Sequence, residues 1–123
     1  MLAKVIEGRK VGRTLGFPTA NLEFLNSDEM PESGVYAVDV ELQNKIFRGV
    51  LNVGNRPTFG TSQKIAEVHI LDFDQIIYGE ILNLTIRKFL REERLFDTPE
   101  ALAEQIKNDI LDALFYFRFP HSV

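Results

Sequence analysis

The sequence contains no cysteine, and this absence excludes several kinds of chemistry together. Without a thiol the chain has no disulfide, no thiolate metal site and no cysteine nucleophile. Histidine is also scarce: His69 has no Cys or second His at ligand spacing, so a structural role is more frequent for such a residue than metal binding. A chain without cysteine suits a reducing compartment, and we expect a cytoplasmic protein.

Long apolar runs and an excess of positive charge are lacking as well. No apolar run approaches the length of a membrane-spanning helix, and the first ten residues lack the apolar core of a secretory signal. The 14 Lys and Arg are outnumbered by 18 Asp and Glu, which gives a net charge of −4. Proteins that bind duplex nucleic acid normally have the opposite balance. We therefore expect neither membrane nor nucleic-acid binding, whereas a small anionic ligand needs only a local nest of donors.

Hydrophobic residues are plentiful, and their spacing in the middle of the chain predicts strands. They form 45% of the sequence, enough for a core without disulfides or metal. Four segments alternate apolar with polar residues, and a short fifth strand is expected near KVIEG; the four are VYAVDVEL, KIFRGVLNV, KIAEVHILDF and EILNLTIRKFL. The connections are too short for crossover helices, which favours an antiparallel sheet closed into a barrel.

The periodicity changes near the C-terminus, where it predicts an amphipathic helix. Apolar residues recur there at helical intervals, at Leu102, Ile106, Ile110 and either Ala113 or Leu114. Thr98 suits the N-cap and Pro99 the first helical position. We predict a single domain over 1–123, with a mainly β barrel over about 1–92 and one C-terminal helix over about 98–118.

The segment GRTLGFPTANL is the first candidate site. The glycines before and within it are four residues apart and are interleaved with basic residues, at Gly8, Gly12 and Gly16. The pattern is not a Walker A loop, which needs Gly-Lys-Ser/Thr, and no βαβ unit follows for a dinucleotide fold. On spacing alone the glycines are a weak signal, and a surface turn is a more frequent use of such a segment than a phosphate-binding loop.

The PTAN part of this segment has a more specific geometry. Pro18 restricts the preceding residue to an extended conformation. If the chain continues extended, Thr19 and Asn21 lie on one face and Ala20 points away. A hydroxyl and an amide carbonyl are hard, neutral oxygen ligands of the kind that Mg²⁺ accepts. The alternative is that both side chains bond the local backbone, as they often do in turns.

Glu67 is the second candidate, because it is a carboxylate within the strand-like run AEVHILDF. Glu is almost never fully buried unless it is paired, so we expect it at the barrel mouth, near solvent or a ligand. There it could accept a proton from a hydroxyl nucleophile. The alternative is a solvated strand residue paired with a basic side chain on the next strand.

Taken together, these motifs resemble the riboflavin kinase (flavokinase) family, in particular the module that ends bacterial bifunctional riboflavin kinase/FAD synthetases. The matching segments occur in family order from about Val5 to Asp109; they are GRTLGFPTANL, GVYAVDV, GVLNVGNRPTFG, AEVHILDF, YGEIL, FLREERLF and LAEQIKNDI. The resemblance implies a six-stranded antiparallel Greek-key barrel with a C-terminal helix. It also implies transfer of the ATP γ-phosphoryl group to the terminal ribityl hydroxyl of riboflavin, giving FMN and ADP with Mg²⁺, or with Zn²⁺ in some members.

The resemblance further implies roles for individual residues. Glu67 matches the general base, and Thr19 and Asn21 match the residues that hold the metal and the nucleotide. The remaining matches fall into an ATP phosphate loop, at Gly8, Gly12 and Arg13, and a flavin-covering flap, at Arg91, Glu93 and Phe96.

Two further interpretations remain open. One is a β-barrel interaction module like those in translation factors, which would explain the fold but not the combination of PTAN with Glu67; the other is a silent member of the family. A non-catalytic flavin- or nucleotide-binding barrel of the same family would be expected to lose at least one of Thr19, Asn21 and Glu67, all of which are present. Bacterial relatives carry an adenylyltransferase domain with a histidine-containing nucleotide motif, which these 123 residues lack. We therefore expect FMN but not FAD as product, from either a stand-alone kinase or one domain of a longer parent chain.

Overall fold

Alternating apolar residues form the strands, and a helix follows them. The structure is a computed structural model that describes residues 1–7, 17–58 and 61–120. Within these ranges lie six strands, a short 3-10 turn at Ser27–Glu29 and one α-helix; the elements are β1 (Leu2–Ile6), β2 (Ala20–Phe24), β3 (Gly34–Leu42), β4 (Lys45–Thr58), β5 (Thr61–Ile70), β6 (Ile81–Arg91) and α1 (Pro99–Arg118).

All the strand pairs are antiparallel, and the sheet closes on itself in the order β1-β2-β5-β4-β3-β6. Strands β3, β4 and β5 are consecutive neighbours, and β6 returns to lie beside β3, which is a Greek key. Gln43 and Asn44 join β3 to β4 with φ values of 51° and 67°, the left-handed conformations that a tight two-residue hairpin requires. The predicted six-stranded antiparallel barrel with a C-terminal helix is confirmed.

The inner faces of the strands form the core. Fifteen buried side chains from all six strands meet inside the barrel, including Val5, Leu22, Val38, Leu51, Val68 and Leu84. Ala20 packs against this cluster, as the extended conformation of PTAN predicts. Strict alternation in EILNLTIRKFL predicts that Ile86 shares a face of β6 with Leu82 and Leu84, but Ile86 is 36% exposed whereas the two leucines are buried. The pairing of β3 with β6 shifts register between Ala37 and Val38, where Ile86 pairs, so the strict alternation ends there.

Helix α1 covers part of the outer wall of the barrel. Thr98 Oγ1 accepts a hydrogen bond from the Ala101 amide at 3.1 Å, and proline occupies the first turn, as the sequence predicts. Ala113 is fully buried against the outer residues Val35, Ala37 and Val50. Of the two alternatives for this helical position, Ala113 therefore faces the sheet and Leu114 is exposed.

Candidate functional site

A row of polar residues crosses the outer wall of the barrel. Asn21 on β2 lies directly opposite Glu67 on β5, and Glu67 lies directly opposite Asn52 on β4. Directly opposed residues in antiparallel strands point to the same face, so the three side chains are neighbours. The neighbouring positions along β5, Ala66 and Val68, point into the core. The hydrogen-bond register, rather than any loop, brings Asn21 and Glu67 together.

The expected position of Glu67 at the barrel mouth was wrong. The residue lies within β5 on the outer wall and is partly buried. It lines a cleft together with residues from the chain after β6 and from the start of α1, among them Phe96 and Leu102. A carboxylate in a strand is seldom fully buried, and the cleft on the outside of the barrel leaves Glu67 partly solvated.

This first cleft has a volume of about 170 Å³. Its barrel wall contains Asn52, Gly54 and Glu67, and its other wall comes from the segment after β6. The three residues assigned to a flavin-covering flap all line it, together with Arg94; they are Arg91, Glu93 and Phe96. The structure thus brings the predicted proton acceptor and the predicted flavin residues into one cleft.

Aromatic and ionic contacts fix the flap side of the first cleft. The guanidinium carbons of Arg91 and Arg94 lie 5.8 Å and 5.0 Å from the centre of the Phe96 ring, within the range of cation–π attraction. Glu93 Oε1 accepts a hydrogen bond from the Asn55 amide at 3.0 Å, which ties the flap to β4. Glu93 approaches β4 closely because residue 54 is glycine: a Cβ there would lie 2.7 Å from Glu93 Oε1.

A second, larger cleft of about 400 Å³ lies where Thr19 and Ala20 meet the loop after β5. Its walls are mostly apolar and include Ile70, Phe73 and Ile77. The sequence predicted no binding role for residues 73–78, although Phe73 ends the strand-like run KIAEVHILDF and Tyr78 begins the family segment YGEIL. In the structure β5 ends at Ile70, so Phe73 belongs to the loop. The buried hydroxyl oxygen of Thr19 lines this cleft and has no hydrogen-bond partner among the described residues. A buried polar atom without a partner is costly, and a bound ligand would satisfy it.

His69 holds the chain immediately before Thr19. Its Nδ1 lies 2.7 Å from the Pro18 carbonyl oxygen. Its ring packs edge-on against the Phe17 ring, with 6.2 Å between the two ring centres. A carbonyl oxygen only accepts, so Nδ1 carries the proton in this bond. This contact supports a structural use of the histidine, as its isolation in the sequence suggests.

The donor set fits a cation shared with a ligand. Among residues 1–7, 17–58 and 61–120, no three His, Cys, Asp or Glu side chains are placed to hold a metal by themselves. The unpartnered oxygen of Thr19 and the buried amide of Asn21, which is 7% exposed, are neutral ligands of the kind Mg²⁺ accepts beside phosphate oxygens. Gly8, Gly12 and Arg13, the predicted phosphate loop, lie outside the described residues. In the described part of the chain, no helix is both long and apolar enough to cross a membrane.

The structure thus combines an antiparallel barrel with two clefts and a row of polar residues on its outer wall, and comparisons with known proteins identify its family. The riboflavin kinase (Flavokinase) family model matches residues 1–117. The chain therefore belongs to the riboflavin kinase family.

The similar proteins are mostly longer, two-activity enzymes. The chain is 43% identical over 116 residues to a bifunctional riboflavin kinase/FMN adenylyltransferase of Bacillus subtilis, covering 92% of this chain and 37% of that protein. It is 41% identical over 107 residues to the RNA-binding riboflavin kinase RibR of the same organism, covering 86% and 46%. The chain thus spans less than half the length of these relatives.

A solved structure supports the fold. A crystal structure described as a macrolide-efflux protein from Streptococcus pneumoniae superposes with a TM-score of 0.81 at 41% sequence identity. The match covers 88% of this chain and 36% of that one. The family model and the two relatives above agree on riboflavin kinase.

Proposed function

We propose that the protein is an ATP-dependent riboflavin kinase that transfers the γ-phosphoryl group of ATP to the ribityl 5′-hydroxyl of riboflavin, giving FMN and ADP. One observation carries the proposal beyond family membership. Asn21 lies two residues after Thr19 in the sequence and directly opposite Glu67 in the sheet. Thr19 lines the second cleft and Glu67 lines the first. Two substrate sites that meet at an amide and a carboxylate are what a transfer between two bound molecules requires.

The second cleft suits the nucleotide. Its apolar walls, among them Phe73 and Ile77, match the faces of a purine base. Thr19 at the same cleft supplies a hydroxyl that a phosphate-bound cation would engage. The phosphates would extend from there toward Asn21, and Gly8, Gly12 and Arg13 remain the proposed backbone and side-chain contacts to them.

Thr19 and Asn21 are the residues that would hold Mg²⁺ beside the phosphates. The cation supplies neutralisation of the charge on the transferring phosphoryl group. The residues of this chain do the rest by orientation: the hydrogen-bonded pairing of β2 with β5 fixes Asn21 relative to Glu67.

The first cleft suits the flavin. Phe96 offers an aromatic face, Arg91 offers N–H donors, and Glu93 holds the flap against β4. With the ribityl chain directed along the barrel wall, Glu67 accepts the proton of the 5′-hydroxyl as its oxygen bonds to the γ-phosphorus. The bond between the γ-phosphorus and its bridging oxygen breaks, and ADP leaves with that electron pair. Because these 123 residues match the kinase family, we expect FMN rather than FAD as the product.

The test is the Glu67→Gln variant, assayed by chromatography for FMN formed from riboflavin, ATP and Mg²⁺. Loss of a general base typically lowers the rate by about 10² to 10⁴, so kcat should fall by that factor. Riboflavin affinity, followed by quenching of flavin fluorescence, should stay within about twofold because the amide keeps the size of the carboxylate. Glu23→Gln is the matched control, since Glu23 is exposed on β2.

Each outcome separates the alternatives. Near-normal turnover by Glu67→Gln would remove this carboxylate from the mechanism. Binding of riboflavin and ATP by the unmodified protein without any FMN would instead establish the non-catalytic flavin- and nucleotide-binding barrel.

A further inference from the structure

Helix α1 contains a buried carboxylate that the proposed transfer does not use. Asp109 is only 3% exposed, and among the described residues Asn21 is the one other polar side chain classed as buried. A buried charge is strongly unfavourable unless it is paired and hydrogen-bonded. The position of Asp109 therefore depends on a partner.

That partner is Arg91, at the end of β6. Arg91 Nε lies 2.7 Å from Asp109 Oδ1, and Nη2 lies 2.8 Å from Oδ2, which is a bidentate pair. Gln105, one helical turn earlier, donates a further hydrogen bond from Nε2 to Oδ1 at 3.0 Å. Asp109, itself hydrogen-bonded by Gln105, thus fixes one arginine of the barrel.

The pairing determines what Arg91 presents to the first cleft. A guanidinium has five N–H donors, and three are used: two by Asp109 and one, on Nη1, by the Glu92 carbonyl oxygen at 3.0 Å. One donor remains on each terminal nitrogen. The Arg91 side chain is 17% exposed and lines the cleft with Glu67 and Phe96.

Pairing with Asp109 also cancels the charge of Arg91. An unpaired arginine beside the cleft would attract any anion, including a phosphate group. A neutralised guanidinium held in place offers hydrogen-bond donors without net charge, which suits the carbonyl oxygens of an uncharged heteroaromatic ring such as the flavin. The same contact makes the helix part of the site.

We propose that Asp109 is a positioning residue for flavin binding and acts through Arg91, so that α1 contributes to substrate recognition as well as to packing. The inference rests on the proposed function, because it takes riboflavin as the occupant of the first cleft. It assigns no chemical step to Asp109, which lies behind the guanidinium rather than in the cleft.

The test compares Asp109→Asn with Asp112→Asn, a control with the same charge change at an exposed position of the same helix. In Asp109→Asn, the amide Nδ2 would face a guanidinium N–H, so donor meets donor and the bidentate geometry is lost. We expect the Kd and KM for riboflavin to rise about tenfold, as for loss of a hydrogen bond to a charged group. The KM for Mg·ATP should stay within about twofold, and Asp112→Asn should match the unmodified protein.

A double-mutant cycle separates positioning from general stability. If Asp109 acts through Arg91, the effect of Asp109→Asn on riboflavin affinity should vanish in an Arg91→Met background. An equal effect in both backgrounds would overturn the inference. So would unchanged riboflavin affinity in Asp109→Asn.

A second variant keeps the inference testable if the single variants fold poorly. Arg91→Met combined with Asp109→Leu replaces the ion pair by apolar side chains, a change that buried pairs often tolerate. This variant should fold and bind riboflavin about as weakly as Arg91→Met, and undiminished affinity would overturn the inference. If the unmodified protein itself fails to bind riboflavin, the proposed function is wrong and this inference falls with it.

Discussion

Substitution by alanine at two glycines of β4 is expected to affect different properties: riboflavin affinity at Gly54 and stability at Gly49. The reason is that different neighbours occupy the space of the added methyl group. At Gly54 a Cβ would lie 2.7 Å from Glu93 Oε1, well inside the ordinary contact distance of 3.4 Å or more. That oxygen is the far end of a flexible side chain, so it would move away. Its 3.0 Å hydrogen bond from the Asn55 amide would then break.

The magnitude for Gly54→Ala follows from two opposing terms. Loss of one exposed hydrogen bond costs about 1 kcal/mol. Replacing glycine by alanine at a compatible backbone conformation returns about 0.4–1 kcal/mol through the unfolded state. We expect the free energy of unfolding to stay within about 1 kcal/mol of the unmodified protein. Riboflavin affinity should fall about fivefold, because the flap would no longer be tied to β4.

Gly49→Ala is the matched contrast on the same strand. A Cβ there would lie 2.8 Å from the His69 carbonyl oxygen and 3.2 Å from Val68 Cγ2. The carbonyl belongs to β5 beside β4, where Gly49 pairs with Ile70, and it moves only if the ladder opens. We expect a loss of about 1–3 kcal/mol of stability, as for other overpacked cores. Riboflavin affinity of the folded protein should be unchanged.

Urea unfolding and riboflavin fluorescence titration of the two variants check this reasoning. The expected result is that Gly54→Ala loses affinity with little loss of stability, and Gly49→Ala the reverse. If Gly54→Ala is destabilised as much as Gly49→Ala, Glu93 does not yield as we infer. If Gly54→Ala keeps full affinity, the link between Glu93 and β4 does not support the flavin site.

Two further predictions concern buried hydroxyl groups. Thr19→Val should leave the ligand-free protein as stable or up to about 1 kcal/mol more stable, because it removes a buried oxygen that has no partner among the described residues. Calorimetry of the same variant should show weakened Mg·ATP binding. A clear loss of stability would mean that the Thr19 oxygen already has a hydrogen-bond partner. Tyr36 donates a 2.6 Å hydrogen bond to the Glu32 carbonyl oxygen, and burial, with a smaller contribution from the charge of Glu32, raises the pKa of its phenol above the ordinary 10.0. Above about pH 10 the unfolded state releases this proton and the folded state retains it, so stability falls as pH rises. In urea titrations, the difference in free energy of unfolding between the unmodified protein and Tyr36→Phe should be constant below that pH and should decrease above it. A difference that stays constant up to pH 11 would contradict the raised pKa of Tyr36.

Most of the fold could be predicted because its determinants are local in sequence. Alternation with a period of two marks the inner face of β3, where Tyr36, Val38, Val40 and Leu42 are all buried. Thr98 and Pro99 mark the start of α1 within a residue. The prediction failed at Ile86, where a register shift against β3 ends the alternation. Such shifts depend on pairing between distant strands, which a single segment does not encode.

The sequence supplied the candidate residues of the proposed site, but it did not supply their relative positions. The PTAN and AEVHILDF motifs identified Asn21 and Glu67, but only the register between β2 and β5 places one opposite the other. Glu67 was expected at the barrel mouth because nothing in the sequence indicated that the segment after β6, which begins 25 residues later, would form a cleft against the outer wall. Asp109 was missed for a related reason. An acidic residue on an amphipathic helix is normally expected to face solvent. The burial of Asp109 depends on its pairing with Arg91, which lies on β6.

The division between the two faces of the barrel separates stability from chemistry. Along β5 the inner residues Ala66 and Val68 are fully buried in the core, while Glu67 between them belongs to the polar row on the outer wall. Because backbone hydrogen bonds on both sides fix this strand, Glu67 needs no loop to reach its position opposite Asn21. A residue held in this way loses little backbone freedom when substrates bind, which favours efficient positioning. Substitutions on the inner face should therefore change the free energy of unfolding, and substitutions along the row should change kcat or substrate affinity.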